Sequence, residues 1–223
     1  MAPAEACALA FARSSTCPAL CSHGSVRSVM LFGPVSPAVE CFPIAKEATM
    51  SVDEIVTTVE RVAQENDKYS GCAQAVLGAL QSQFAIGDAE SFRAATILSG
   101  GVARRGESCG ALLGALMGIG LVCGRDDMKD TAAYGKAVTE AQSVVDDFKA
   151  RLQHRFGFTD SLTTTLCRDI HVRIFGRAYD LASDADREAF LQAGGHDADK
   201  CPLVCAIAAG VAARAILAMK KDV

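Results

Sequence analysis

The sequence predicts an all-α fold, a single bundle-like helical domain over residues 50–223 behind a poorly structured extension over residues 1–49. Three observations point there. Apolar residues recur at three- and four-residue spacings through most of the chain after Ser51. No stretch combines strict alternation with β-branched enrichment and hairpin turns. With no Trp, three Tyr and ten Phe, the core has to be built mainly from Ala, Leu, Val and Ile, which suits close-packed helices.

The extension comes first. Residues 1–49 show no sustained period and hold Pro3, Pro18, Pro34, Pro37 and Pro43, five of the six prolines. They also lack the basic start and unbroken apolar stretch of a secretory signal. Met50 precedes Ser51, and Glu54 three residues after that serine completes a capping box. Met50 thus reads as a natural start, with residues 1–49 either an over-long gene model or a true extension.

Val52, Ile55, Val56, Val59 and Val62 mark one face of the first helix, which ends before Asn66. A second helix opens at Cys72 after Ser70-Gly71 and runs toward Phe84, and Asp88 caps a short third one. The polar loop Ala103–Glu107 leads into a helix headed by Ser108-Cys109. There Gly110, Gly114 and Gly118 leave one stripe without side chains, for tight packing or for a cofactor or partner helix. Tyr134 to Leu152 carry the clearest stripe, closed by Phe156-Gly157. A short helical piece over Leu162–Asp169 contains Cys167, another helix follows Asp184, and the last starts at Cys201-Pro202, where proline suits the first turn.

At 223 residues, 50% hydrophobic and 22% charged, the chain can bury most of its apolar surface in one core. Lys and Arg number 22 against 26 Asp and Glu, a net charge of −4 that argues against a nucleic-acid partner. No uninterrupted apolar run reaches the roughly 18 to 20 residues that span a bilayer. No membrane association and a cytoplasmic location are therefore expected. Apolar helical faces permit a homodimer without requiring one.

Ten cysteines are the compositional outlier. Cys7, Cys17, Cys21 and Cys41 fall in the extension. Of the rest, Cys72, Cys109 and Cys201 fall at helix heads, where unpaired N–H groups and the helix dipole favour a thiolate. Cys167 is followed by Arg168, whose charge favours the same form. The four are 37, 58 and 34 residues apart, with none of the close pairs of a zinc ribbon or a ferredoxin, so any shared site is assembled by folding. Cys205, one turn after Cys201, is a secondary metal-ligand candidate whose favoured reading is packing, and Cys123 also reads as packing. The four histidines form no metal spacing; His196 either assists a thiol or is simply solvated. No Ser/His/Asp order stands out.

Four blocks in this order resemble the C_GCAxxG_C_C family of redox-active proteins, related to part of the split-Soret cytochromes. They are Gly71-Cys72-Ala73-Gln74-Ala75-Val76, Arg105-Gly106-Glu107-Ser108-Cys109-Gly110-Ala111, Leu166-Cys167-Arg168-Asp169 and Cys201-Pro202-Leu203-Val204. The central block departs from the pattern, reading Cys-Gly-Ala where it has Gly-Cys-Ala. The resemblance implies a helical protein with four redox-active cysteines and an iron–sulfur cluster as in the split-Soret relatives, whose haem-binding part has no counterpart here.

The leading expectation is an electron-transfer protein whose Cys72, Cys109, Cys167 and Cys201 ligate an iron–sulfur cluster and serve an unidentified redox partner protein. Two alternatives remain open: a thiol–disulfide oxidoreductase using a pair of these cysteines without metal, and a structural zinc-binding helical module.

Overall fold

The computed structural model describes residues 50–220, so the expectation for residues 1–49 lies outside the described residues. Eight α-helices follow in order among these residues: α1 (Val52–Asn66), α2 (Cys72–Phe84), α3 (Ala89–Ala94), α4 (Gly110–Cys123), α5 (Thr131–Phe156), α6 (Cys167–Phe175), α7 (Asp184–Gln192) and α8 (Cys201–Met219). Short 3₁₀ turns cover Asp67–Tyr69 and Ala95–Leu98. The described residues contain no β-strand, only an isolated bridge between Ser108 and Leu166.

Side-chain caps set four of the eight helix starts. Ser51 and Glu54 close the expected capping box, with N–H to oxygen distances of 2.7 and 3.3 Å. Asp88, Asp130 and Ser183 accept backbone N–H bonds at the heads of α3, α5 and α7. Gly157 ends α5 in the left-handed conformation. Helix α8 is the core: it packs against α1, α2, α4 and α5, and every residue from Val204 to Ala213 is buried. Ile119, Phe148, Leu152, Ile207 and Ile216 are fully covered, each worth about 1.5–3 kcal/mol relative to exposure.

Two sequence expectations need correction. Helix α8 is, by length and composition, apolar enough to cross a membrane, counter to the reading of short apolar runs; Arg214 breaks its run without lowering its mean hydropathy far enough. Within the fold 67% of it is covered by protein, the condition of a core helix. Second, the piece around Leu162–Asp169 is not helical until Cys167. Thr163, Thr164 and Thr165 are β-branched and favour extended backbone, and Thr164 Oγ1 accepts from the Leu166 N–H at 3.1 Å. The expected loop over Ala103–Glu107 is present and, with the glycines before it, makes a tight left-handed turn: Gly100, Gly101, Val102, Ala103 and Arg104 all have φ between 51 and 71°.

The glycine stripe of α4 serves close packing on α2. A Cβ on Gly114 would collide with the Ala73 backbone carbonyl, and one on Gly118 would come within 2.6 Å of Leu80.

Candidate functional site: four helix heads around one cavity

The chain folds back repeatedly so that four helices begin at one place. Cys72, Cys167 and Cys201 are the first residues of α2, α6 and α8, and Cys109 is the residue that caps α4. All four line a single cavity of about 320 Å³, together with Cys205, Asp67, Ser70, His171 and His196. Cys123 is not among its walls; at the far end of α4 its thiol donates to the Ile119 carbonyl. The four helices that begin with these cysteines are the four without a side-chain N-cap, whereas α1, α3, α5 and α7 each have one. No side chain therefore competes for the leading N–H groups at these four heads; at α6 the backbone carbonyls of Glu107 and Gly106 take those of Cys167 and Arg168.

The left-handed turn brings Cys109 and Cys167 together. It lets Gly106 and Glu107 present their carbonyls to the N–H groups of Arg168 and Cys167, at 3.1 and 2.7 Å, while the Cys109 N–H donates to Thr165 at 2.8 Å. Gly101 has to be glycine on two counts: its φ is +71°, and a Cβ there would lie 2.7 Å from the Cys167 Cβ. Cys72 is seated by the glycine stripe, since a Cβ on Gly110 would stand 2.5 Å from its sulfur.

The electrostatics reverse one expectation. Helix heads were expected to lower the thiol pKa values, and backbone N–H groups do pull Cys72 and Cys109 in that direction. Burial outweighs them. It pushes Cys72 up, Cys109 up to about 12, and Cys167, Cys201 and Cys205 well above the usual thiol range, with repulsion between the clustered sulfurs adding to the rise for Cys109, Cys167, Cys201 and Cys205. Arg168 does not offset this, because its guanidinium pairs with Glu107 at 2.8 Å. Left alone, these cysteines are protonated thiols at neutral pH.

His171 adds chemistry not anticipated in the sequence, and His196 takes a role other than the two expected of it. His171, one turn after Cys167 on α6, is 2% exposed and places Nε2 3.7 Å from the Cys167 sulfur and 3.8 Å from that of Cys201. Its Nδ1 has no partner, in a box where Phe190 stacks on the ring and Phe175 and Tyr179 meet it edge-on. A buried N–H without an acceptor costs more than a bare lone pair against aromatic rings, so the proton belongs on Nε2, between the sulfurs. The Cys-x-x-x-His spacing on one helix face was the legible signal.

Burial holds the His171 imidazole down to about 4. An unfolded histidine titrates near 6.5, so between about pH 6.5 and 4 the unfolded chain takes up a proton that the fold refuses. Stability is complete above that window and falls as pH drops through it, by about 3 kcal/mol in total. Urea unfolding of reduced, metal-free protein across pH 7 to 4 should show that loss, and H171L should lack this share of it.

His196, expected to assist a thiol or be solvated, does neither. Its Nδ1 lies 2.9 Å from Oδ2 of Asp67, and its Nε2 is 3.1 Å from Ser70 Oγ. The hydrogen bond to Asp67 raises its pKa against the opposing effect of burial. Asp67 is 1% exposed and accepts a second bond from the Cys205 thiol at 3.4 Å. That bond occupies Cys205, which is 1% exposed.

No three Cys, His, Asp or Glu side chains among the described residues are grouped to hold a single metal ion. No curated protein and no solved structure matches the chain. A family described as "Putative redox-active protein (C_GCAxxG_C_C)" matches residues 70–215, a span that holds all four helix-head cysteines. With more than half its length matched, the chain belongs to the C_GCAxxG_C_C family of redox-active proteins.

Proposed function

We propose that Cys72, Cys109, Cys167 and Cys201 hold an iron–sulfur cluster and that the protein exchanges single electrons with a partner protein without transforming an organic substrate. The observation that carries this reading is the meeting of four uncapped helix heads, each bearing a cysteine, on one cavity. Four soft donors at helix heads, where the helix dipole favours negative charge, suit a metal–sulfur group held by thiolates. Such a group supplies a one-electron store and the positive charge that lets the four thiols ionise together.

A lone tetrahedral zinc would need the four sulfurs drawn to about 3.8 Å from one another, whereas a cluster binds them around a wider core of iron and sulfide. The raised thiol pKa values disfavour an attacking cysteine, because attack on a disulfide needs a thiolate. Anaerobic purification followed by iron and sulfide analysis and visible absorption tests the proposal. A folded protein carrying neither element would overturn it, and zinc alone would favour the structural alternative.

His171 then has a role in setting the potential. Its Nε2–H donates toward Cys167 and Cys201, and donation to thiolate sulfur favours the reduced state. H171L should lower the midpoint potential by on the order of 60 mV, the one-electron equivalent of a single charge-assisted hydrogen bond of about 1.4 kcal/mol. Potentiometric titration of the purified protein checks it, with cluster content measured alongside.

A further inference from the structure

At the mouth of the cavity Ser70, His196 and Asp67 have the geometry of a nucleophile, its base and the group that orients the base. Asp67 is buried and accepts a hydrogen bond from the Nδ1–H of His196 at 2.9 Å. Nε2 is thereby left as an acceptor, 3.1 Å from Ser70 Oγ. The imidazole is also braced by Phe190, whose ring meets it edge-on at 5.5 Å. The three residues come from the turn after α1 and from the loop before α8, 126 positions apart in the case of Ser70 and His196.

Ser70 itself is strained. Its φ of +64° with ψ of 168° lies in a region that residues with a Cβ rarely occupy. Nothing about turn formation needs a serine there, since a glycine would adopt the same backbone at no cost. Strain at an exposed serine bonded to an oriented histidine is the arrangement seen where a turn thrusts a nucleophile out ahead of a helix. Gly71 follows it, and α2 begins at Cys72 with no side-chain cap, so its first N–H groups lie beside the serine.

We infer that Ser70, His196 and Asp67 form an acyl-transfer site for short-chain carboxylic esters. Phe190 and Leu191, which line the same cavity, offer an apolar wall for the acyl chain, and the exposed side of Ser70 leaves the alcohol a path to solvent. Ser70 Oγ bonds to the acyl carbon as the bond from that carbon to the alkoxy oxygen breaks. The serine proton passes to His196 Nε2 and from there to the departing alcohol. Water then attacks the acyl-serine, giving its proton to His196, and the acid leaves as Ser70 Oγ recovers a proton. No electron changes hands. Ser70 and His196 are the catalytic residues and Asp67 is a positioning residue.

The site opens on the same cavity as the four cysteines but uses none of them, so its test reads separately from the iron–sulfur reading. The test uses the full chain as purified anaerobically, with a fluorophosphonate probe and p-nitrophenyl butyrate as substrate. The expected result is one covalent adduct, located by peptide mass spectrometry on Ser70, and ester hydrolysis that falls at least about a thousandfold in S70G. S70G removes the nucleophile and relieves the strained φ, so it should be inactive while its unfolding temperature rises and its iron content stays that of the parent. D67N should lower kcat with KM unchanged. An adduct elsewhere, no adduct on folded protein, or hydrolysis that survives S70G would each overturn the inference.

Discussion

Serine at any one of positions 72, 109, 167 or 201 is expected to bring the iron and sulfide of anaerobically purified protein down to background, while C123S and C205A keep both. The contrast follows from where the six sulfurs stand. Cys72, Cys109, Cys167 and Cys201 each lie at the head of a helix whose first N–H groups have no side-chain cap. Cys123 hangs on the far end of α4 with its thiol bonded to a backbone carbonyl. Cys205 faces the cavity, but its proton is committed to Asp67. Because burial and mutual repulsion hold the thiols protonated, ionising them depends on a cation gathered by the full set, and three remaining sulfurs no longer complete it. Elemental analysis beside circular dichroism checks this. Full iron content in C167S or C201S would remove those residues from the site.

The second large effect belongs to the glycines of α4, and it changes sign along the helix. G114A should destabilise the fold by about 3 kcal/mol, because the new methyl would meet the main chain of α2 at Ala73, which cannot rotate away as a side chain would. G120A, on the same helix, meets nothing within 4 Å and is exposed. It should stabilise by about 0.5–1 kcal/mol, through the reduced freedom of the unfolded chain. Urea unfolding of the two variants measures both. A neutral G114A would mean that α2 and α4 can separate without cost.

Most helices could be read from apolar spacing and capping residues, since these act within a few positions of one another. The helix around Val52 to Val62, the Asp88 start and the Gly157 end needed no tertiary information. What escaped has a common cause in partners distant along the chain. Cys167 heads its helix because Thr165, Cys167 and Arg168 bond to Cys109, Glu107 and Gly106, some sixty positions earlier. His196 looked solvated because nothing near it in sequence reveals the buried Asp67. The raised thiol pKa values came from the depth of the cavity, which helix-head placement cannot show. Cys72, Cys109 and Cys201 were legible because helix heads can be read locally, and three of them carrying the same uncommon side chain is a pattern that packing does not require; Cys167 was marked by the Arg168 that follows it and by the family blocks.

The left-handed turn has a consequence for how the protein breathes. Val102, Ala103 and Arg104 each sit in a conformation that costs an L-residue about 1–2 kcal/mol, and the N–H groups of residues 102–107 offset that cost by bonding to carbonyls of residues 97–102. The turn is thus a locally bonded edge, to which Thr165, Cys167 and Arg168 are tied through Cys109, Glu107 and Gly106. When α6 lifts off, these three bonds open together. The amides of Cys109, Cys167 and Arg168 should therefore exchange with solvent as one cooperative unit, so that two of the four cysteines are exposed together or not at all.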